Sequence, residues 1–281
     1  MTPFVFMAVL AAALMHASWN ALVKVRADRF ATISLTTFGM TCTALPVLPF
    51  VAFPSAAVWP WIITSTVIHV GYRLFLSRAY EVGDLAQAYP LARGTAPLIT
   101  TIGGIVFVSE VPGSIALVGI VLLSLGTFLM SLRGGGQLGR LNGAAAGYAL
   151  TTSLFIAGYT LSDGIGARLA DTALSYAAWM FASDGVCAMA IAFLYRGRRM
   201  TAILAEKWKV GLLTGFLSAA AYSIVMWAMT KAPIASVASL RETSILFAMA
   251  ISVFVLGEKM TAWRSAAALS ILAGVIALRL S

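Results

Sequence analysis

Three charged residues lie inside stretches of sequence that are otherwise apolar. Arg93 and Arg241 each stand about seven residues into such a stretch, and Glu242 follows Arg241 directly. A charged side chain costs about 2.5–3.5 kcal/mol at the centre of a membrane helix, so it needs a compensating interaction. We expect each guanidinium to bind a carboxylate or phosphate group, or to latch a gate. The alternative is that it bonds backbone carbonyls or pairs with a buried acid.

A second polar group lies near the end of the first apolar stretch, in the segment MHASWNALVK. His16, Trp19 and Asn20 have the spacing i, i+3, i+4, so a helix places them on one face. We expect this face to line a water-filled cavity and to contact a ligand. Alternatively, Trp19 belongs to the aromatic belt at the membrane surface and Asn20 bonds a neighbouring helix.

The same spacing recurs further along the chain in His69, Tyr72 and Arg73. His69 falls near the middle of its stretch and is a candidate ligand-binding residue, with Tyr72 on the same face. We expect Arg73 to extend towards the cytoplasmic surface and to contribute to orientation in the membrane.

Aromatic and acidic side chains mark two stretches of the second half. Tyr159 and Asp163 fall in one of them, and Tyr222 and Trp227 in the other. Aromatic rings with one acid can hold a cationic or zwitterionic amine through cation–π contacts, so these residues are candidates for a binding site. Ordinary packing is an equal alternative for Tyr222.

The composition places these residues in a membrane protein. The chain of 281 residues is 60% hydrophobic and 10% charged, with a mean hydropathy of +0.93. A soluble domain has roughly 45–50% apolar and 25% charged residues. A helix needs about 20 apolar residues to cross a bilayer, and stretches of this length recur along the whole chain. They predict an all-α membrane protein with ten transmembrane helices, at 3–23, 31–53, 61–80, 85–108, 112–131, 141–162, 172–194, 209–230, 234–256 and 262–279.

The first stretch is expected to remain in the protein, because no Lys or Arg precedes it as in a signal peptide. Cys42 and Cys187 fall inside predicted spans and are expected to fill the core rather than form a disulfide.

Two sets of glycines repeat every four residues, a spacing that permits close helix packing in membranes. One set runs into span six and the other lies in span eight. They are Gly139, Gly143 and Gly147, and Gly211 and Gly215.

The loops predict an orientation. Of the 19 Lys and Arg residues, thirteen lie in the loops that follow odd-numbered spans, which are all on one side of the membrane. Three lie on the opposite side: Arg168, Lys231 and Arg279. The positive-inside rule places the thirteen-charge side in the cytoplasm. Because ten spans return the chain to the side where it began, both termini are predicted to be non-cytoplasmic.

Two halves of the sequence match each other. A shift of 148 residues aligns spans four and five with spans nine and ten, and a shift of 140 aligns span one with span six. Five spans per copy is an odd number, so the second copy must be inverted in the membrane. The predicted repeats are 1–135 and 136–281. The matched pairs include Arg93 with Arg241, Glu110 with Glu258, Gly126 with Gly274, Trp19 with Tyr159 and Asn20 with Thr160.

Helix four is predicted to bend and to act in gating. In the segment AYPLARGTAP, Pro90 and Pro97 each remove a backbone donor, and Gly94 weakens the turn between them. Gly94 also stands where the second repeat has Glu242, so this acid has no counterpart and could bind a proton or an ammonium group. Arg241 and Glu242 point about 100° apart on a helix, so we expect at most one of them to face the cavity.

The chain resembles the drug/metabolite transporter superfamily, and within it the ten-helix EamA-type carriers. The resemblance rests on the five-plus-five organisation, on HASWNALVK in helix one and YTLSDGIGAR in helix six, and on VSE and LGEK at the ends of helices four and nine. It covers essentially the whole chain. It implies a carrier but names no cargo, because the family includes amino-acid exporters, metabolite carriers and nucleotide-sugar carriers.

The resemblance also implies a central cavity lined mainly by helices one, three, four, six, eight and nine. Asp184, in helix seven, departs from this pattern, so either it pairs internally or the cavity includes helix seven. The expected substrate-binding residues are His16, Trp19, Asn20, His69, Tyr72, Tyr89, Arg93, Tyr159, Asp163, Tyr222, Trp227, Arg241 and Glu242.

Several classes of protein lack support in the sequence. It has no phosphate-binding glycine loop with its Lys, no HExxH, no CxxC and no GxSxG, so a nucleotide-driven pump or a hydrolase is not indicated. We expect no cofactor, no metal and no nucleic acid partner. An intramembrane enzyme using His16, His69 and an acid is a further alternative, and a membrane scaffold is another.

These observations predict a secondary active transporter in the inner membrane of a bacterium, functional as a monomer. It would move a small polar metabolite, amino-acid-like or an organic anion, by alternating access, with export favoured by the resemblance. The alternative is a proton-coupled exporter of cationic drugs or polyamines, in which Glu242 and Asp163 would be decisive.

Overall fold

The ten predicted spans correspond to helices in the computed structural model, which describes residues 1–23, 29–83, 85–132, 143–255 and 257–281. Eight of the spans are single helices, the second is an α-helix followed by a 3₁₀ turn, and the ninth consists of two α-helices. The helices are α1 (Pro3–Val23), α2 (Arg29–Ala44), α3 (Trp59–Val82), α4 (Leu85–Val108), α5 (Ser114–Leu132), α6 (Gly143–Leu169), α7 (Ala173–Arg196), α8 (Arg198–Met229), α9 (Ile234–Arg241), α10 (Ser244–Phe254) and α11 (Ala262–Leu280).

Three boundaries differ from the prediction. The helix α2 ends at Ala44, because Pro46 and Pro49 follow, and a 3₁₀ turn at Leu48–Phe50 completes the span. The helix α8 begins at Arg198 rather than 209, and α6 continues to Leu169 rather than 162. Both extensions lie at the ends of spans, where hydropathy is a poor guide to helix length.

Seven of the helical segments in the described part of the chain are long and apolar enough to cross a membrane by themselves. Of the other three spans, α5 is apolar but shorter, and α3 and α6 are the remaining two. Each of the two has buried polar side chains, Ser65, Thr66 and Arg73 in α3 and Thr152, Ser153 and Asp163 in α6. Their polarity thus faces the protein interior rather than lipid, which is where intramembrane polar groups are stable.

The interface between α5 and α11 shows how the repeats are related. A Cβ atom on Gly119 would lie 2.9 Å from the carbonyl oxygen of Gly274, and one on Gly126 would lie 2.8 Å from that of Ala267. Gly119 corresponds to Ala267 and Gly126 to Gly274 under the 148-residue shift, so the two contacts are equivalent by a pseudo-twofold axis. The two helices run antiparallel, and the second repeat is therefore inverted relative to the first.

Two hydrogen bonds join residues that are equivalent in the two repeats. Ser270 Oγ donates to the carbonyl oxygen of Leu122 at 2.9 Å across 148 residues. Thr41 Oγ1 donates to the carbonyl oxygen of Phe181 at 3.0 Å across 140 residues, between α2 and α7. Both shifts found in the sequence therefore hold in space. The predicted boundary at 135/136 lies outside the described residues.

The ends of α4 and α10 also match. Ser109 and Gly257 both have positive φ, 58° and 69°. The next residue in each repeat donates its N–H back into the helix, from Glu110 to the carbonyl of Gly104 at 3.0 Å and from Glu258 to that of Ser252 at 3.1 Å. The two helices therefore end with the same backbone conformation.

Close packing through the repeated glycines occurs in α8 but not at the start of α6. Gly211 and Gly215 contact the backbone of α2, where a Cβ atom on Gly215 would clash with Gly39. A Cβ atom on Gly143 or Gly147 would meet no described atom within 4 Å, so the expectation that these two glycines permit close helix packing is wrong. Gly139 lies outside the described residues.

Candidate functional site

Arg93, Glu242 and Arg241 form one buried cluster, which we call the arginine cluster. Arg93 Nε lies 2.8 Å from Glu242 Oε2, and Arg241 Nη2 lies 3.8 Å from Glu242 Oε1. The three side chains are at most 6% exposed. The alternative that an intramembrane arginine pairs with a buried acid thus holds for Arg93. Glu242 thus forms its shorter ion pair with Arg93 of the other repeat. Its contact with its chain neighbour Arg241 is longer, as expected from their positions on the helix.

The backbone changes conformation where the cluster forms. The helix α9 ends at Arg241, and α10 begins at Ser244. Glu242 and Thr243 instead donate to carbonyls three residues back, at 3.0 and 3.1 Å. This tighter turn places the charged pair at a break in the ninth span. In the first repeat α4 is continuous through Pro90, Gly94 and Pro97, so the break in the ninth span has no counterpart in α4.

Several buried donors on α1, α4, α6 and α9 have no hydrogen-bond partner in the described part of the chain. They are Trp19 Nε1, Arg93 Nη2, Thr160 Oγ1 and Arg241 Nε. Arg93 Nε and Glu242 Oε2 are close but poorly aligned, so neither makes a good hydrogen bond. Buried polar groups are almost always satisfied, so the open donors of Arg93 and Arg241, which both contact Glu242, indicate a place for an acceptor.

Aromatic rings lie against the two arginines. The guanidinium carbon of Arg93 lies 5.9 Å from the ring centre of Tyr89, and that of Arg241 lies 5.8 Å from the ring centre of Tyr222. Both distances suit a cation–π contact. Tyr159 contacts Tyr222 edge to face at 6.1 Å.

The tyrosines continue towards α3. His69 stacks on Tyr159 with ring centres 4.2 Å apart, and Tyr72 contacts Tyr159 edge to face at 5.7 Å. The nitrogen Nδ1 of His69 also lies 2.9 Å from the carbonyl oxygen of Ser65 in its own helix. The structure therefore brings α3, α4, α6, α8 and the α9–α10 junction together.

Asp163 contacts Tyr222, the tyrosine whose ring lies against Arg241. It is 0% exposed and accepts hydrogen bonds from Tyr176 at 2.9 Å and from Tyr222 at 2.5 Å. Tyr176 comes from α7, which the resemblance treated as peripheral. Tyr176 is absent from the predicted site residues, because no spacing in the sequence relates it to the other polar residues.

On α1, the predicted polar residues contact one another. His16 and Trp19 meet edge to face at 5.2 Å. The side-chain amide of Asn20 donates to the carbonyl oxygen of His16 at 2.8 Å, so this donor is used within α1. Trp227 contacts Phe4 near the start of α1 at 5.7 Å, and neither Trp227 nor Trp19 has a ring contact with the tyrosines in the described structure.

Arg73 differs from its prediction. It is buried and donates two hydrogen bonds to Asp184, at 2.9 and 2.6 Å, so it does not extend to the cytoplasmic surface. A guanidinium and a carboxylate in this paired geometry satisfy each other in low-dielectric surroundings. Of the two alternatives for Asp184, internal pairing is therefore the one observed, and the ion pair fixes α3 against α7.

A further ionic contact closes one end of the bundle. Glu110, after α4, contacts Arg168 of α6 at 2.6 Å and accepts the backbone N–H of Ile234 at 2.8 Å. Arg168 also donates to the carbonyls of Met229 and Ala232 at 2.8 and 3.1 Å. A pocket of about 380 Å³ lies at the same end and is lined partly by Met1 and Ser281, so both termini share this end.

Comparison with known proteins gives the family. The EamA-like transporter family matches residues 3–132 and matches again over residues 143–280. One solved crystal structure is similar to the chain with a TM-score of 0.77 and 16% sequence identity, over 100% of this chain and 98% of the other. At that identity the similarity concerns the fold alone. No curated protein matches the chain significantly.

The two family matches coincide with the two inverted halves, and the spans agree with a multi-pass membrane protein. Members of the family are transporters of the drug/metabolite transporter superfamily. The chain belongs to the EamA-like transporter family.

Proposed function

We propose that this transporter is a secondary carrier that binds a small molecule through an anionic group, a carboxylate of an amino-acid-like compound or organic anion, at the arginine cluster. The observation that supports this is the charge of the cluster. Two guanidinium groups and one carboxylate share a buried space, which leaves one positive charge without an anion. Buried charge is stable only when it is paired, and a substrate carboxylate would supply the missing partner.

The unsatisfied donors agree with the same ligand. An N–H donor of each arginine, the indole N–H of Trp19 and the hydroxyl of Thr160 lack partners in the described structure. A carboxylate offers about four acceptor sites on two oxygens and can bind donors from several helices at once. Glu242 already pairs with Arg93, so the carboxylate of the substrate rather than an amine would bind at the cluster.

The position of the cluster suits alternating access. It joins α4 of one repeat to the α9–α10 junction of the inverted repeat, so relative movement of the halves would change its exposure. We further propose that the carrier lies in the inner membrane of a bacterium with both termini non-cytoplasmic, works as a monomer and favours export.

Export of cationic drugs or polyamines is less favoured by this geometry. Glu242 is paired with Arg93, and Asp163 already accepts two tyrosine hydroxyl groups. A cation would have to displace these partners and would lie beside two arginines, at a cost from like-charge repulsion.

Ligand-dependent thermal stabilisation tests the proposed substrate class. Purified protein in detergent would be heated with a panel of L-amino acids, mono- and dicarboxylates, and polyamines, since a ligand that binds the folded state raises Tm. We expect an amino acid or carboxylate to raise Tm, and expect Arg241→Gln to abolish this effect. Arg78→Gln is the matched control, because the Arg78 side chain is 64% exposed and pairs with Glu81 on the same helix. Stabilisation by polyamines alone would overturn the proposal.

A further inference from the structure

We propose that Asp163 is a proton-binding site distinct from the arginine cluster, and that Tyr222 links proton binding there to substrate binding. The second part rests on the proposed function, whereas the first does not. The geometry around Asp163 is that of a buried carboxyl group held by hydroxyls. Tyr176 from α7 and Tyr222 from α8 donate to its two oxygens, at 2.9 and 2.5 Å.

Asp163 differs from the two other acids that are buried in the bundle. Glu242 has Arg93 at 2.8 Å, and Asp184 has Arg73 at 2.6 Å. Asp163 is 0% exposed, and no Lys, Arg or His lies within 4 Å of it among the residues that the structure describes. An ionised carboxylate without a cation is costly in such surroundings, and proton binding removes that cost.

The groups that face Asp163 can support both states. They are Tyr222 of α8, Tyr176 of α7 and, from α3, His69 and the hydroxyl of Ser65. The tyrosines donate to the ionised form. When a proton from the aqueous phase binds, the carboxyl O–H donates to one tyrosine oxygen instead, and the hydroxyl proton of that tyrosine becomes free for another acceptor.

Tyr222 is the residue that touches both sites. Its hydroxyl donates to Asp163, while its ring lies 5.8 Å from the guanidinium carbon of Arg241. With Asp163 protonated, the Tyr222 hydroxyl can donate to an anion bound at Arg241, and one negative charge near that anion is gone. Proton and anion therefore strengthen each other's binding, by about tenfold.

This linkage sets the sense of coupling. Proton and anion cross the membrane in the same direction, and the proton returns to water on the far side with the substrate. Export would then be driven by the concentration gradient of the substrate itself, and an inward proton gradient would favour uptake.

An infrared measurement tests the proton site without any substrate. Difference spectra of the purified protein in lipid vesicles between about pH 5 and pH 9 report protonated carboxyl groups through their C=O stretching band. We expect a band that Asp163→Asn removes and that Asp171→Asn, an exposed matched control, retains. We expect Tyr222→Phe, which keeps the acid, to shift the midpoint of the band, and Tyr195→Phe at an exposed position to leave it unchanged. A spectrum that is the same in Asp163→Asn, or a midpoint that is the same in Tyr222→Phe, would overturn the assignment.

A binding measurement tests the linkage. The compound that stabilises the protein best in the thermal panel would be titrated at both pH values, with a pH indicator in weakly buffered solution. We expect about tenfold tighter binding at the lower pH and, in a further titration at the midpoint pH of the infrared band, uptake of protons on binding that is lost in Asp163→Asn. Equal affinity at both pH values would contradict the linkage. If no compound binds at all, the proposed function fails, while the infrared result still decides the proton site.

Discussion

At the scale of residues, the arginine cluster holds charges that would each be unstable alone. Arg93 and Glu242 come from opposite repeats and contact each other at 2.8 Å with side chains that are 5% and 2% exposed. Loss of Glu242 leaves two buried guanidinium groups without a carboxylate, and loss of Arg93 leaves Glu242 with only the longer 3.8 Å contact to Arg241. Either loss costs more than the pair itself contributes. The pair therefore stabilises the junction of the two halves and also determines the charge available to a ligand.

A double-mutant cycle tests this dependence. Arg93→Gln or Glu242→Gln alone is expected to destabilise the protein by about 3–5 kcal/mol, whereas the double substitution should cost clearly less than the sum. The Tm values measured in detergent rank the stability of the variants. We expect the double variant to have a higher Tm than at least one of the single variants. The exposed pair Arg78 and Glu81 is the control, and its substitutions should change stability by less than about 1 kcal/mol. Strict additivity at Arg93 and Glu242 would show that the two charges do not compensate each other.

The sequence predicts which residues of the site are unusual but not which of them meet. Arg93 and Arg241 stand out because intramembrane arginine is rare. Their partners cannot be read from spacing, because Glu242 bonds an arginine in the other repeat and Asp184 bonds Arg73 across 111 residues. Such pairs depend on how helices pack, which helical periodicity does not specify.

At the scale of elements, the α5–α11 interface holds the repeats together through direct backbone contact. The Cβ position of Gly274 lies 2.7 Å from the carbonyl oxygen of Gly119, a distance that real Cβ atoms do not tolerate. Small residues at such crossings allow helices in a membrane to approach closely.

Gly274→Ala tests this contact. It should lower stability by about 1–3 kcal/mol, because the helices must separate to accommodate the methyl group. Gly147→Ala is the matched control, since no described atom lies within 4 Å of its Cβ position and alanine favours a helix by about 1 kcal/mol. Tm values of the two variants should therefore move in opposite directions. An unchanged Tm for Gly274→Ala would mean that the interface is looser than described.

The contact of Glu110 with Arg168 and the start of α9 is expected to hold its end of the bundle closed. Glu110→Gln would weaken this contact by about 1–2 kcal/mol. The fraction of molecules that are open at that end would rise about five- to thirtyfold. Ser236, which is 6% exposed and lines the pocket there, gives the readout as Ser236→Cys in a background without Cys42 and Cys187. Thiol labelling should accelerate correspondingly, while Glu81→Gln as a control should not change it. Equal rates would show that Glu110 does not hold the closed state.

At the scale of the whole molecule, the inverted repeat was the feature best predicted from sequence. Positions that are equivalent under the two shifts, 148 and 140 residues, are joined by hydrogen bonds in the structure. The break between α9 and α10 was not anticipated, because no Pro or Gly lies at residues 241–243. It occurs where Arg241 and Glu242 contact other helices, so tertiary contacts override local helix propensity.

The orientation predicted from loop charges can be tested by labelling. Ser281→Cys, in a chain without its two native cysteines, should react in intact cells with a thiol reagent that does not cross the inner membrane. Thr201→Cys, on the side predicted to be cytoplasmic, should react only after permeabilisation. The reverse pattern would place the termini in the cytoplasm and would invert the orientation without changing the fold.

Counterflow in proteoliposomes is the decisive test of whether this carrier binds an anionic group at the arginine cluster. Vesicles loaded with unlabelled amino acids and carboxylates would be diluted into trace amounts of the labelled compounds. We expect transient accumulation of at least one labelled amino acid or carboxylate, abolished by Arg241→Gln and retained in Arg78→Gln. Accumulation that persists at full rate in Arg241→Gln, or counterflow of labelled polyamines alone, would refute the proposed function.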